Sequence, residues 1–143
     1  MEDKEWVQRQ ALNAMMLAAV KFGVDCGAGA AIVVLPDEPG HSVIWTPSAR
    51  ALGTYISRGR SHSNNHLALA LSRLAAMLNP QRADGELSYH YGGVRRQEEH
   101  GILLITTFSG GLGHEQNEEI AKEGMREMKT ALACKLAVFS LTR

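Results

Sequence analysis

Along the first two dozen residues, apolar side chains return at helical intervals. Val7, Ala11, Met15, Ala18 and Phe22 share one side, with Leu12, Met16 and Ala19 beside them. Glu5, Gln8, Arg9 and Asn13 fall on the other side. The pattern predicts a helix over 3–22, capped by Asp3 and ended by Gly23. Met15 and Met16 sit at core spacing and read as gap-filling packing. The pattern then changes period. Ala28 to Leu35 is small and β-branched, a buried strand. Pro36-Asp37-Glu38-Pro39-Gly40 is dense turn chemistry, and His41 to Thr46 reads as the returning strand of an antiparallel hairpin. Ala49 to Arg60 is ambiguous: Leu52, Tyr55 and Ile56 make a short helical face that Gly53 and Gly59 weaken.

The second half alternates in the same way. Leu67, Ala70, Leu71, Leu74 and Leu78 predict a helix with Arg73 on its outside, capped by Asn64 or Asn65 and ended by Asn79-Pro80. Gln81 to Glu86 is a polar loop. Leu87 to Tyr91 is a short strand, broken by Gly92-Gly93 and continued in extended form from Val94 to Gln97. After the turn Glu98-Glu99-His100-Gly101, Ile102 to Phe108 is the strongest strand of the chain. Ser109-Gly110-Gly111-Leu112-Gly113 then opens a helix from about His114 to Ala131 or beyond, with Ala121, Met125, Met128 and Leu132 as its stripe. Its acids come early and its bases late, which suits the helix dipole. The apolar tail Leu132 to Leu141 either extends that helix or docks separately. Strands joined by short turns and helices with single apolar stripes predict an α+β layered domain of the profilin-like or roadblock-like kind, with an antiparallel sheet of about five strands.

Length and charge narrow the class. The 143 residues are expected to form one domain, 1–143. Fifteen Lys and Arg balance 15 Asp and Glu. This neutrality lacks the basic excess of a nucleic-acid groove, and it removes the self-repulsion that keeps monomers apart. Cys26 and Cys134 are too few for a disulfide framework and not spaced for zinc; both read as small buried hydrophobes in a reducing compartment. No run reaches the ~18–20 apolar residues of a membrane span. The acidic start Glu2, Asp3, Glu5 is unlike the basic start of a signal peptide, so a cytoplasmic protein without a membrane partner is expected.

The chemistry centres on histidines and glycines. His62 and His66 are four apart and on one helix would share a face, as metal ligands do. No third ligand accompanies them, and the competing reading is a polar helix start, so no metal site is assigned. His90, between Tyr89 and Tyr91, points to the opposite side of a strand from both rings. His41, His100 and His114 sit at turns or a helix start and read as solvated. No Gly-x-Ser-x-Gly elbow is present, and no catalytic residue is assigned. In the loop Ser109 to Gly113, glycines let the backbone approach a ligand and the helix start offers unpaired N–H groups. The candidate ligand contacts are therefore Ser109, Gly110, Gly111, Gly113, His62, His66 and His90. Glu115, Glu118 and Glu119 crowd the same end and repel an anion, which favours reading the loop as a tight strand-to-helix turn.

Gly92-Gly93, fifteen intervening residues, Ser109-Gly110-Gly111, and Glu115-Gln116-Asn117-Glu118-Glu119-Ile120-Ala121 form a layout. It resembles the second half of GlcG/HbpS-like domains, strongest over residues 90–127. The Ile32-Val33-Val34 strand and the turn at Asp37 to Gly40 are compatible with it. Two segments depart: Arg58-Gly59-Arg60-Ser61-His62-Ser63 lacks the family's lysine, and Leu104-Ile105-Thr106-Thr107 replaces its Gly-Ala-x-Gly strand. The resemblance implies a profilin-like fold, a homo-oligomer and a non-enzymatic role as a small-ligand-binding or accessory protein, with haem as the ligand of some relatives. The alternative is a roadblock- or profilin-like interaction module that oligomerises without a ligand, with Trp6 and Trp45 as contact or core residues. An enzyme using His114 and Glu115 in the same cleft is the third reading.

Overall fold

In the computed structural model, which describes residues 2–21, 25–38, 40, 45–52, 66–77, 93–99, 101–110 and 113–142, the opening stripe forms helix α1, Glu2–Val20. The small-residue run forms β1, Cys26–Val34, followed by β2, Ser48–Leu52. Helix α2 is His66–Ala76, and strands β3 and β4 are Val94–Glu99 and Ile102–Ser109. Helix α3, His114–Thr142, absorbs the apolar tail, so the tail continues the helix. Among the described residues the sheet has four antiparallel strands, in the order β2-β1-β4-β3. The expected strand Leu87 to Tyr91 lies outside the described residues.

The sheet is covered on both faces. Strand alternation sends Cys26, Ala28, Ala30 and Ile32 of β1, and Leu104 and Phe108 of β4, toward α1 and α3. There they meet Val7, Ala11, Met15, Met125 and Met128, with Trp6 packed at the margin. The odd-numbered residues Ala31, Val33, Leu103 and Ile105 face Leu74 and Met77 of α2, with Trp45 against them. Both tryptophans therefore join core clusters.

Gly27 and Gly29 fall on the α2 side of β1. A Cβ at Gly27 would stand 2.5 Å from the carbonyl carbon and oxygen of His66, and one at Gly29 would stand 2.8 Å from Thr107 Oγ1. Bare backbone at these two positions lets α2 settle directly on the sheet. Thr107 Oγ1 then donates to Ala70 O at 2.9 Å, and Arg73 Nη1 donates to Phe108 O at 3.1 Å. On the other face Thr106 Oγ1 donates to Ala121 O of α3 at 2.7 Å.

Four expectations change. Arg73 is 4% exposed, not outside, because the apolar stripe of α2 runs through Ala70, Leu74 and Met77 and carries Arg73 inward with it. Gln8 is 1% exposed, although its position suggested the polar side of α1. The strand that follows β1 and pairs back with it is Ser48–Leu52, and the described residues of the expected return strand, Trp45 and Thr46, precede it. Cys134 is exposed while Cys26 is buried, and both are free thiols.

Gln8 explains how β1 and β2 part. Their last paired residues are Ala30 and Ser48. One step further along, Pro47 has no N–H to continue the ladder. The Gln8 amide fills the gap: Oε1 accepts from Ile32 N at 2.9 Å, and Nε2 donates to Thr46 O at 3.1 Å and to Ser48 Oγ at 2.7 Å.

Candidate functional site

One end of the sheet gathers what the sequence singled out. Gly27 and Ser109 are opposite each other in the β1–β4 ladder. Ser109 closes β4, and its alternation directs the hydroxyl to the α2 face. The seat on Gly27 brings the first turn of α2 over this position. His66 Nδ1 consequently lies 3.0 Å from Ser109 Oγ. Two of the seven expected contacts, 43 residues apart in the chain, are thus in direct hydrogen bond. His62, His90 and Gly111 lie outside the described residues.

Gly110 turns the chain away from the sheet. Its φ is +118°, a conformation open to glycine, and a Cβ there would collide with Asp25 O and the Cys26 backbone. Gly113 O accepts from Asn117 N at 3.0 Å and so opens α3. A Cβ at Gly113 would meet nothing within 4 Å. Helices α2 and α3 therefore both begin at this end of the sheet, on opposite faces of it. The seat of α2 on Gly27 fixes one start. The other is fixed by Gly93, where an added Cβ would lie 3.1 Å from Asn117 Cβ and would clash with Phe108 O.

The electrostatics differ from those the sequence implied. Glu118 is held by Arg95, Nη2 to Oε1 at 2.6 Å, and Glu119 by Lys122 at 3.5 Å. The Arg95 hydrogen bond and charge keep the Glu118 carboxyl below its ordinary range. Two of the three acids expected to repel an anion are therefore partly neutralised, with Arg95 contributed by the neighbouring strand. The adjacent pair Arg95-Arg96 was the available sequence signal for this, and no motif drew it out.

Burial pulls the His66 imidazole below its ordinary value; Asp25 works against this and Arg73 adds to it. A neutral imidazole bonded through Nδ1 can present Nε2 as donor or lone pair. Ser109 is only 2% exposed, and its hydroxyl orients that ring. Burial also pushes the Cys26 thiol up, against a backbone hydrogen bond to Leu52 and reinforced by Asp25, which keeps it in the unreactive protonated form. Among the described residues no three His, Cys, Asp or Glu side chains gather to hold a metal, and no helix is long and apolar enough to cross a membrane. Searched against protein-family models, curated proteins and solved structures, the chain matches none of them.

Proposed function

We propose that this chain is a small-ligand-binding or accessory protein of the GlcG/HbpS-like type, with a profilin-like arrangement of its layers, acting as a homo-oligomer. The observation that carries this reading is the His66–Ser109 hydrogen bond beside the glycine turn. It orients an imidazole at the end of the sheet where α2 begins on one face and α3 on the other, and the start of α3 adds backbone N–H groups as a second set of donors at that end. The ligand class that fits is a small anion or an acid-bearing tetrapyrrole. The N–H groups near Gly110 and Gly113 take the acid group, and His66 Nε2 takes a metal or a hydrogen bond. The partial neutralisation of Glu118 and Glu119 supports an anion here.

Haem, which the family resemblance brings in, fits the donor chemistry of His66: a neutral imidazole whose other nitrogen is already oriented by Ser109. Haem when bound would supply an iron centre. The chain's own part is to orient the ring and to receive a propionate on backbone N–H groups. Haemin titration followed by absorbance is expected to shift the Soret band at micromolar protein, and the shift is expected to weaken in His66→Ala. An unchanged Soret band in the wild type eliminates haem as the ligand. Native mass spectrometry of the purified protein then reports any co-purified ligand together with the subunit count.

A second reading, a ligand-free interaction module, is supported by a different observation: Leu17 and Val20 of α1 are 70% and 59% exposed. A purified oligomer with no bound small molecule and no response to haemin or to small anions would favour it.

A further inference from the structure

We infer that the groove between α1 and α3 is the surface through which two copies of this chain associate, with Leu17 of each copy seated in the groove of the other. This rests on the homo-oligomer in the reading above and adds the surface that makes it.

The two helices run antiparallel, since Lys135 late in α3 pairs with Asp3 and stacks on Trp6 early in α1. Between them lies an open groove of about 860 Å³, on the face of the sheet opposite α2. Ala14 and Ala18 of α1 and Ile120 of α3 give it a narrow apolar strip between polar and charged walls. Leu17 stands on the rim and is 70% exposed. A ridge beside a groove of matching chemistry on the same molecule is self-complementary. A two-fold axis near Leu17 places each ridge over the other copy's apolar strip, which is what an isologous interface requires.

Charge argues for a second copy as the occupant. On the α3 side of the groove Glu123 pairs with Arg126 and Glu119 with Lys122, and Glu127 keeps that side acidic, while Lys21 makes the α1 side basic. When α1 of one copy lies on α3 of the other, Lys21 of each copy faces the acidic side of its partner. The chain as a whole is neutral, 15 bases against 15 acids, so long-range repulsion does not oppose the approach of a like molecule. Leu17 thus needs no partner of different chemistry to be covered.

The test is the mass of the full-length protein by light scattering and sedimentation over a range of concentrations, for the wild type, Leu17→Glu and Lys21→Glu. The wild type is expected to dimerise. Leu17→Glu is expected to weaken association by about 10-fold or more, because a charge would be buried against the apolar strip. Lys21→Glu is expected to weaken it less, and Lys21→Glu combined with Glu127→Lys to recover part of the loss. Leu17 is exposed, so its variant is expected to keep the wild-type melting profile as a monomer. A dimer whose affinity is unchanged in Leu17→Glu overturns this surface while leaving association intact. A wild type that stays monomeric overturns both, and leaves the groove to a different partner.

Discussion

Single side chains decide two local outcomes in this molecule. Gln8 replaces a stretch of backbone ladder where β1 and β2 separate, and its partners are buried or partly so. Gln8→Ala leaves the Ile32 N–H without its acceptor, and an unsatisfied buried donor costs about 1–3 kcal/mol. Urea unfolding should show a loss of that size, with m unchanged. His66 gives a pH signature. Its folded-state pKa lies below the ordinary value of 6.5, so the unfolded chain binds the proton more readily. The stability linked to His66 is therefore fully present above the unfolded value and is lost as pH falls through the lower, folded one. The wild type should lose melting temperature between neutral and mildly acidic pH, and His66→Asn should lose less over the same interval. Equal slopes would mean that His66 does not carry the dependence. Neither role was readable from the residue alone. Gln8 and His66 are polar letters at ordinary positions, and their partners lie 24 and 43 residues away.

Elements were legible in proportion to how strongly one face is buried. α1, β1 and β4 each bury a continuous face, and their predicted and observed spans agree within a few residues; α3 starts where expected and takes the longer of its two expected courses, to Thr142. β2 was missed because the alternation of Ser-Ala-Arg-Ala-Leu is short and carried by alanines, and its exposure rises along its length instead of alternating. Its place is set by backbone pairing with β1 and by Gln8, not by side-chain pattern. The dense turn residues after β1 drew the expected return strand too early. The seat of α2 is an element-scale contact that glycine alone permits. Gly27→Ala puts a methyl 2.5 Å from the His66 carbonyl, so α2 must lift, and overpacking of this kind costs about 1–3 kcal/mol. Thermal melts should show the loss. Gly113→Ala, with open space around it, should cost under about 1 kcal/mol. Equal effects at the two sites would refute the close approach of α2.

Across the whole molecule, a sheet with helices on both faces was foreseen from the order of periodicities, because each amphipathic element must bury one side against another. Local spacing was enough to assign helix and strand in the strongly patterned segments, since the 3.6- and 2-residue periods are properties of the chain itself. It was also enough to mark the Ser109–Gly113 turn as a place where backbone could meet a ligand. It did not reveal that His66 and Ser109 touch, that Arg73 and Gln8 are buried, that Arg95 quiets Glu118, or that Leu17 is left outward beside a groove. Each of those depends on which distant carbonyl, hydroxyl or carboxylate a side chain meets after the layers close. A polar group goes inside when a partner there replaces its water, and an apolar group stays outside when no layer reaches it. Such partners are assigned by strand register and helix seating, which join residues far apart in the chain and leave no trace in the spacing of neighbours.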